Sequence, residues 1–174
     1  AALPRLARAL KRGDNGMLKL LIAHIEAAGM KVVGAHEIVP DLLAPEGAIT
    51  QAEPEAGDWR DLEAARKAAL TIGALDVGQA AVSINGRVIA LEGIEGTDGL
   101  LARTKELRGH GRIANLKRGV IVKCAKPDQE LRADLPAIGP ATVDGAHAAG
   151  LAGIGVEAGR SLILDWDKVV ERAD

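Results

Sequence analysis

An Asn-Gly pair between two β-prone runs places the tightest constraint on how this chain can fold. Ala80-Ala81-Val82-Ser83-Ile84 precedes Asn85-Gly86, and Arg87-Val88-Ile89-Ala90-Leu91-Glu92 follows it. Two residues that tolerate positive φ between β-prone runs favour a two-residue type I′ hairpin. One antiparallel strand pair is thereby fixed. Around it, apolar periodicity predicts helices over residues 3–10, 16–28, 59–75, 98–107 and 140–149, and a last helix capped by Asp165 and running to Val170. Asp14-Asn15 stands where the second helix needs its N-cap, and Gly29 where it needs a C′ residue. Strands are expected over 31–35, 119–125, 154–156 and 161–164. Pro45, Gly47, Pro54 and Gly57 mark 44–58 as a loop. Helices and strands alternate without a repeat, so the expected fold is one α/β domain over 1–174, a mixed sheet containing a β-hairpin and flanked by helices.

The material for a core is unusual. The chain has no Phe and no Tyr, and its only aromatic side chains besides histidine are Trp59 and Trp166, so the 48% of hydrophobic residues must pack as aliphatics. The same scarcity removes the stacking platforms on which single-stranded nucleic acids are held. A formal charge of −2 supplies no basic field for a phosphate backbone, which excludes nucleic acid as a partner. The single cysteine, Cys124, rules out an intrachain disulfide and a cysteine-based zinc cluster, and its apolar neighbours predict a buried, inert thiol. No apolar run reaches membrane-spanning length and no signal-peptide pattern opens the chain, which points to the cytoplasm. The chain opens at Ala1 without an initiator methionine, an indication of the C-terminal part of a longer protein.

Three helix or strand ends carry chemistry. Glu95-Gly96-Thr97-Asp98 joins the hairpin's second strand to a helix, where backbone N–H groups favour an anion and carboxylates suit a hard cation. The same spelling also describes a plain N-cap with acidic first-turn residues. Gly13-Asp14-Asn15-Gly16 repeats that logic at another helix start. The third feature, Gln129-Glu130-Leu131-Arg132-Ala133-Asp134, runs into the stiff corner Leu135-Pro136-Ala137-Ile138-Gly139-Pro140, which gives a carboxylate and a guanidinium a fixed direction. A solvated ion pair on a surface turn is the rival reading of that corner. His36-Glu37 follows a predicted strand, where catalytic groups of α/β sheets often sit, but Pro40 stands where a zinc-protease helix needs its second histidine. The glycines from Gly150 to Gly159 lack the Gly-Lys-Ser/Thr of a phosphate-binding loop and follow a helix rather than a strand, so neither a P-loop nor a dinucleotide fingerprint is present.

Asp76-Val77-Gly78-Gln79, Glu95-Gly96-Thr97-Asp98, the run from Lys126 through Gly139, and Ala149-Gly150-Leu151-Ala152-Gly153-Ile154 occur in an order and spacing that resembles the C-terminal domain of the LpxI-type UDP-2,3-diacylglucosamine pyrophosphatases. Gly13-Asp14-Asn15 and Gly34-Ala35-His36-Glu37 fit the same pattern, so the resemblance extends from about residue 11 to 174. It implies an enzyme of lipid A biosynthesis that hydrolyses a UDP-linked diacylated glucosamine to UMP and lipid X, requires Mg²⁺, and holds its substrate between this domain and an N-terminal domain that the chain lacks. It maps the family's essential aspartate onto Asp134, within an Arg-x-Asp-x-Pro motif. Ala137 departs from the Thr or Val of many members, and a small packing effect is expected. Substrate contacts are expected from Thr97, Gln129, Arg132, Lys123, Lys126, Asn15 and Gln79, and metal ligation from Asp98, Glu95 and Asp14. The substrate's acyl groups imply work at the inner-membrane surface, and a homo-oligomer is compatible with the sequence. The alternative is a non-catalytic nucleotide- or lipid-binding module, and a third reading is a structural domain whose acidic loops only cap helices.

Overall fold

A computed structural model describes residues 13–113 and 116–174; the helix expected over 3–10 lies outside them. Its elements in chain order are α1 (Gly13–Ala27), the short α2 (Ala35–Ile38), a 3₁₀ turn (Pro40–Leu42), α3 (Ala56–Ala74), β1 (Ala80–Ile84), β2 (Arg87–Leu91), α4 (Gly96–Leu107), β3 (Val120–Lys123), β4 (Ala137–Ile138), α5 (Pro140–Ala148), β5 (Gly153–Val156), β6 (Leu162–Ile163) and α6 (Trp166–Ala173).

The hairpin forms as expected. Asn85 and Gly86 both adopt positive φ, 55° and 75°, as a type I′ turn requires. β1 pairs antiparallel with β2 on one side and with β3 on the other, and β3 pairs parallel with β5, giving a four-stranded mixed sheet in the order β2-β1-β3-β5. β1 is buried along its whole length because helices cover both of its faces. On one face α3 contributes Ala65 and Ala69 against Ala81, Val120, Val122 and Cys124. On the other, Leu100 and Leu101 of α4 and Ala146 of α5 pack on Ala80, Val82 and Ile121. Alanine-rich faces let helices lie close to the sheet, which is how a chain without Phe or Tyr reaches a dense core. A second, two-stranded parallel sheet of β4 and β6 packs with α5 and α6 around Ile138, Val143, Ile163 and Val169.

Three expectations are corrected. Residues 31–35 form no strand: 31–34 are irregular and Ala35 begins α2, with Glu37 Oε1 accepting the Gly34 N–H at 2.7 Å. Val33 is exposed there and no neighbouring strand pairs with the segment, so β-propensity has nothing to act on. α3 starts three residues before Trp59, because Glu55 and Asp58 form a reciprocal cap in which the Asp58 carboxylate accepts the Glu55 N–H at 2.9 Å. Asn15 is not a cap, since α1 already begins at Gly13. Gly29 does close that helix, at φ 87° with Met30 N–H returning to Ile25 O. Among the described residues no helix is long and apolar enough to cross a membrane.

Candidate functional site

The sheet brings three chain segments together at one end. Lys123 closes β3, Glu92 follows β2, and Gln79 precedes β1, with Ala80 paired opposite Lys123. In α/β sheets ligands gather outside the carboxyl ends of strands, and β2, β3 and β5 all end here. Gly78 allows the segments to meet closely: a β-carbon there would stand 2.3 Å from Glu92 O.

Glu92 is 5% exposed, and both of its oxygens are engaged. Oε2 accepts the Gln79 N–H at 2.6 Å and Oε1 accepts the Thr97 hydroxyl at 2.7 Å. Thr97 therefore makes no cap for α4, whose N-terminus has no side-chain cap. Its proton is committed to Glu92, so lone pairs are what it offers outward. The Gln79 side-chain oxygen is buried and takes no hydrogen bond among the described residues.

Lys123 stands at the centre. Its Nζ donates to Ala137 O at 3.1 Å, which ties β3 to β4. Burial pushes the ammonium below its ordinary pKa, and the charges of Glu92, Asp134 and Asp98 act on it in the opposite sense. The ammonium makes no ion pair within 4.0 Å among the described residues, so its charge is free to meet an anionic ligand. Asp134 is exposed, and its Oδ2 accepts from Gln129 Nε2 at 2.6 Å.

The other expected site residues have different partners. Arg132 forms a two-pronged pair with Glu130, at 2.8 and 2.9 Å, and a further contact to Glu26 at 2.7 Å. Those carboxylates hold its pKa well above the usual value, and the same pair draws Glu130 below the ordinary carboxylate range. Lys126 pairs with Asp76 at 2.5 Å. Glu95 pairs with Arg103 of α4 at 2.6 Å. Asn15 clamps the 128–130 loop, donating to Asp128 O at 2.6 Å and accepting from Glu130 N at 2.9 Å. The Asp14 side chain lies outside the described residues. Among the described residues no three His, Cys, Asp or Glu side chains converge tightly enough to hold a metal ion unaided.

Glu92 is the residue that sequence reasoning missed. Its signal was parity: it stands two positions after buried Ala90, so a carboxylate occupies the inward face at the end of an apolar strand. A separate cavity of about 660 Å³ lies beneath the 44–55 loop, lined by aliphatic residues that include Ile49, Leu62, Ile138, Val143 and Ile154. It meets the cluster at β4, where Ala137 O holds Lys123 and Ile138 faces the cavity, and at β5, where Val156 pairs with Lys123 and lines it.

An α/β domain whose strand ends gather Lys123, a buried glutamate and the polar groups it holds is the class defined so far. The family profile described as the LpxI C-terminal domain matches residues 45–174, and the chain belongs to that family. It is 41% identical over 176 aligned positions to the UDP-2,3-diacylglucosamine pyrophosphatase LpxI of Caulobacter vibrioides, an alignment covering 99% of this chain and 62% of that relative.

Proposed function

We propose that this chain carries the hydrolytic groups of a Mg²⁺-dependent UDP-2,3-diacylglucosamine pyrophosphatase of lipid A biosynthesis. The observation that carries this reading is the strand-end group in which buried Glu92 holds Gln79 and Thr97 beside Lys123, in a chain 41% identical to a protein of that name. In the reaction, water adds to one phosphorus of the pyrophosphate, the bridging P–O bond breaks, and lipid X and UMP leave as phosphate monoesters, with two protons released when both are dianions.

The residues divide this work. Lys123 places a positive charge where the pyrophosphate oxygens accumulate negative charge, and its low-dielectric setting strengthens the effect. Asp134, held through Oδ2, has Oδ1 to orient the attacking water. Asp98 and Asp134 suit Mg²⁺, which is commonly held by one or two carboxylates plus substrate phosphates, and the unpartnered Gln79 oxygen and the Thr97 lone pairs are further hard donors. When bound, the ion supplies Lewis-acid neutralisation of the phosphate charge. Thr97 and Gln79 otherwise contact substrate oxygens or N–H groups, while Arg132, Lys126 and Asn15 support the loop that carries Asp134. The aliphatic cavity beside β4 gives an acyl group of the substrate an apolar place to lie. The enzyme works on the cytoplasmic side, at the inner-membrane surface that supplies its substrate.

An N-terminal domain closing over the substrate completes the site, because a phosphate left open to water weakens every fixed charge around it. The test is release of UMP and lipid X from UDP-2,3-diacylglucosamine by a full chain in which an N-terminal domain precedes these residues, and by residues 1–174 alone, each with Mg²⁺ and with chelator. Mg²⁺-dependent release by the full chain and little by 1–174 supports the reading. Release unaffected by chelator refutes the metal, and equal rates refute the two-domain site.

A further inference from the structure

We propose that Gln129 is a positioning residue for Asp134 rather than a substrate contact. The inference rests on the hydrolase reading of Asp134. Gln129 is 8% exposed, buried at the base of the loop whose surface presents Asp134. Its Oε1 accepts the Lys126 backbone N–H at 2.8 Å, and its Nε2 donates to Asp134 Oδ2 at 2.6 Å. A backbone N–H can only donate, so the amide oxygen must face Lys126 and the NH₂ group must face Asp134. The orientation of the carboxamide is thus set by the main chain, and the carboxamide in turn sets the carboxylate.

The support continues behind Gln129. Its own N–H donates to Lys126 O at 3.0 Å, closing a turn, and the Lys126 side chain is tied to Asp76 beyond the end of α3. The backbone of Lys126 packs against α3 at Gly73, where a β-carbon would stand 3.5 Å from Lys126 Cα. An exposed aspartate on a loop samples several rotamers. Here one oxygen is anchored through Gln129 and Lys126 to the end of a long helix, and the other keeps a fixed direction. A misplacement of about 1 Å in a group that aligns a nucleophile costs as much as about 100-fold in rate.

Steady-state hydrolysis of UDP-2,3-diacylglucosamine by the full chain tests this, with Gln129→Glu, Gln129→Met, Asp134→Asn and the double variant Gln129→Glu/Asp134→Asn. Glutamate at 129 retains an acceptor for the Lys126 N–H but loses the donor to Asp134. A role confined to closing the turn therefore leaves Gln129→Glu near wild type and impairs only Gln129→Met. The expected result is a fall in kcat of about 10- to 100-fold in both Gln129 variants, with KM within about twofold. In the Asp134→Asn background the added Gln129→Glu lowers kcat no further. Normal kcat in Gln129→Glu, a raised KM at unchanged kcat, or full multiplication of the two effects overturns the proposal while leaving the hydrolase reading intact. A wild-type chain that releases no UMP overturns the hydrolase reading instead. The Gln129 carboxamide signals in ¹⁵N-resolved NMR then decide the hold itself: a shift on Asp134→Ala supports it, and unchanged signals reject it.

Discussion

The two ends of the central sheet each bury a carboxylate, and they surround it differently. At the hairpin end Asp61, 4% exposed, accepts the Ser83 hydroxyl at 2.8 Å and the N–H groups of Asn85 and Gly86 at 3.1 and 2.6 Å. All of its partners are neutral donors within the hairpin, so the interaction is complete. At the opposite end Glu92 is equally buried, but it takes Gln79 N–H and Thr97 from two separate segments, and exposed Asp98 and Asp134 join it in acting by charge on the Lys123 ammonium. A closed arrangement holds a turn in place. An open one has charge left over for something that arrives from solvent. The two ends therefore predict separable effects, one on folding and one on turnover.

Lys123→Met in the full chain gives the largest expected change, a fall in turnover of about 100-fold or more, the size seen on losing an electrostatic stabiliser of a transition state. Its unfolding midpoint falls modestly, because buried Glu92 loses a neighbouring positive charge and Ala137 O its donor, so turnover is read at temperatures where the variant is folded. Normal turnover in this variant would place the chemistry elsewhere. Asp61→Ala should do the reverse: it leaves a hydroxyl and two backbone N–H groups without their acceptor, a loss of about 2–4 kcal/mol in stability by denaturant unfolding. Its kcat should stay near wild type at temperatures where it is folded. A large loss of kcat there would erase the distinction between the ends.

A smaller effect separates the ends by pH. The Arg118 guanidinium beside Asp58 holds that carboxyl below its ordinary value. The folded pKa lies below the unfolded one, so the contribution is complete above the usual aspartate range and is lost as pH falls through the folded value. Unfolding midpoints measured between about pH 5 and about pH 2 should drop less steeply in Arg118→Gln than in wild type. Equal slopes would remove the pair from acid stability. Smallest is the response of Cys124: burial pushes its thiol up to about 11, so a thiol reagent should leave the native protein unlabelled at neutral pH and label it on unfolding.

How much of this could be read from the sequence followed the range of the interactions. The Asn85-Gly86 turn and the C′ glycine of α1 are set by their own backbone and were legible. The start of α3 was displaced because its cap, Glu55 with Asp58, lay inside residues read as loop. Residues 31–35 failed as a strand because a strand needs a neighbour, which the sequence does not display. β4 was hidden for a related reason: two residues of a proline-rich corner become a strand only by pairing with Leu162 and Ile163. At the site, the sequence marked Asp134, Asp98 and Thr97 as polar residues at element ends. That Arg132 is occupied by Glu26 and Glu130, and Lys126 by Asp76, was not legible, because those ion pairs depend on the fold.

The most direct test of the open end is Asp134→Asn in the full chain, with turnover of UDP-2,3-diacylglucosamine and the thermal unfolding midpoint measured on the same protein. Asparagine keeps an acceptor for Gln129 and removes the charge. The account predicts a turnover loss of at least about 100-fold, the scale of losing an acid–base group, with the midpoint essentially unmoved. Near-normal turnover, or a collapse of the midpoint that accounts for the lost activity, would contradict it.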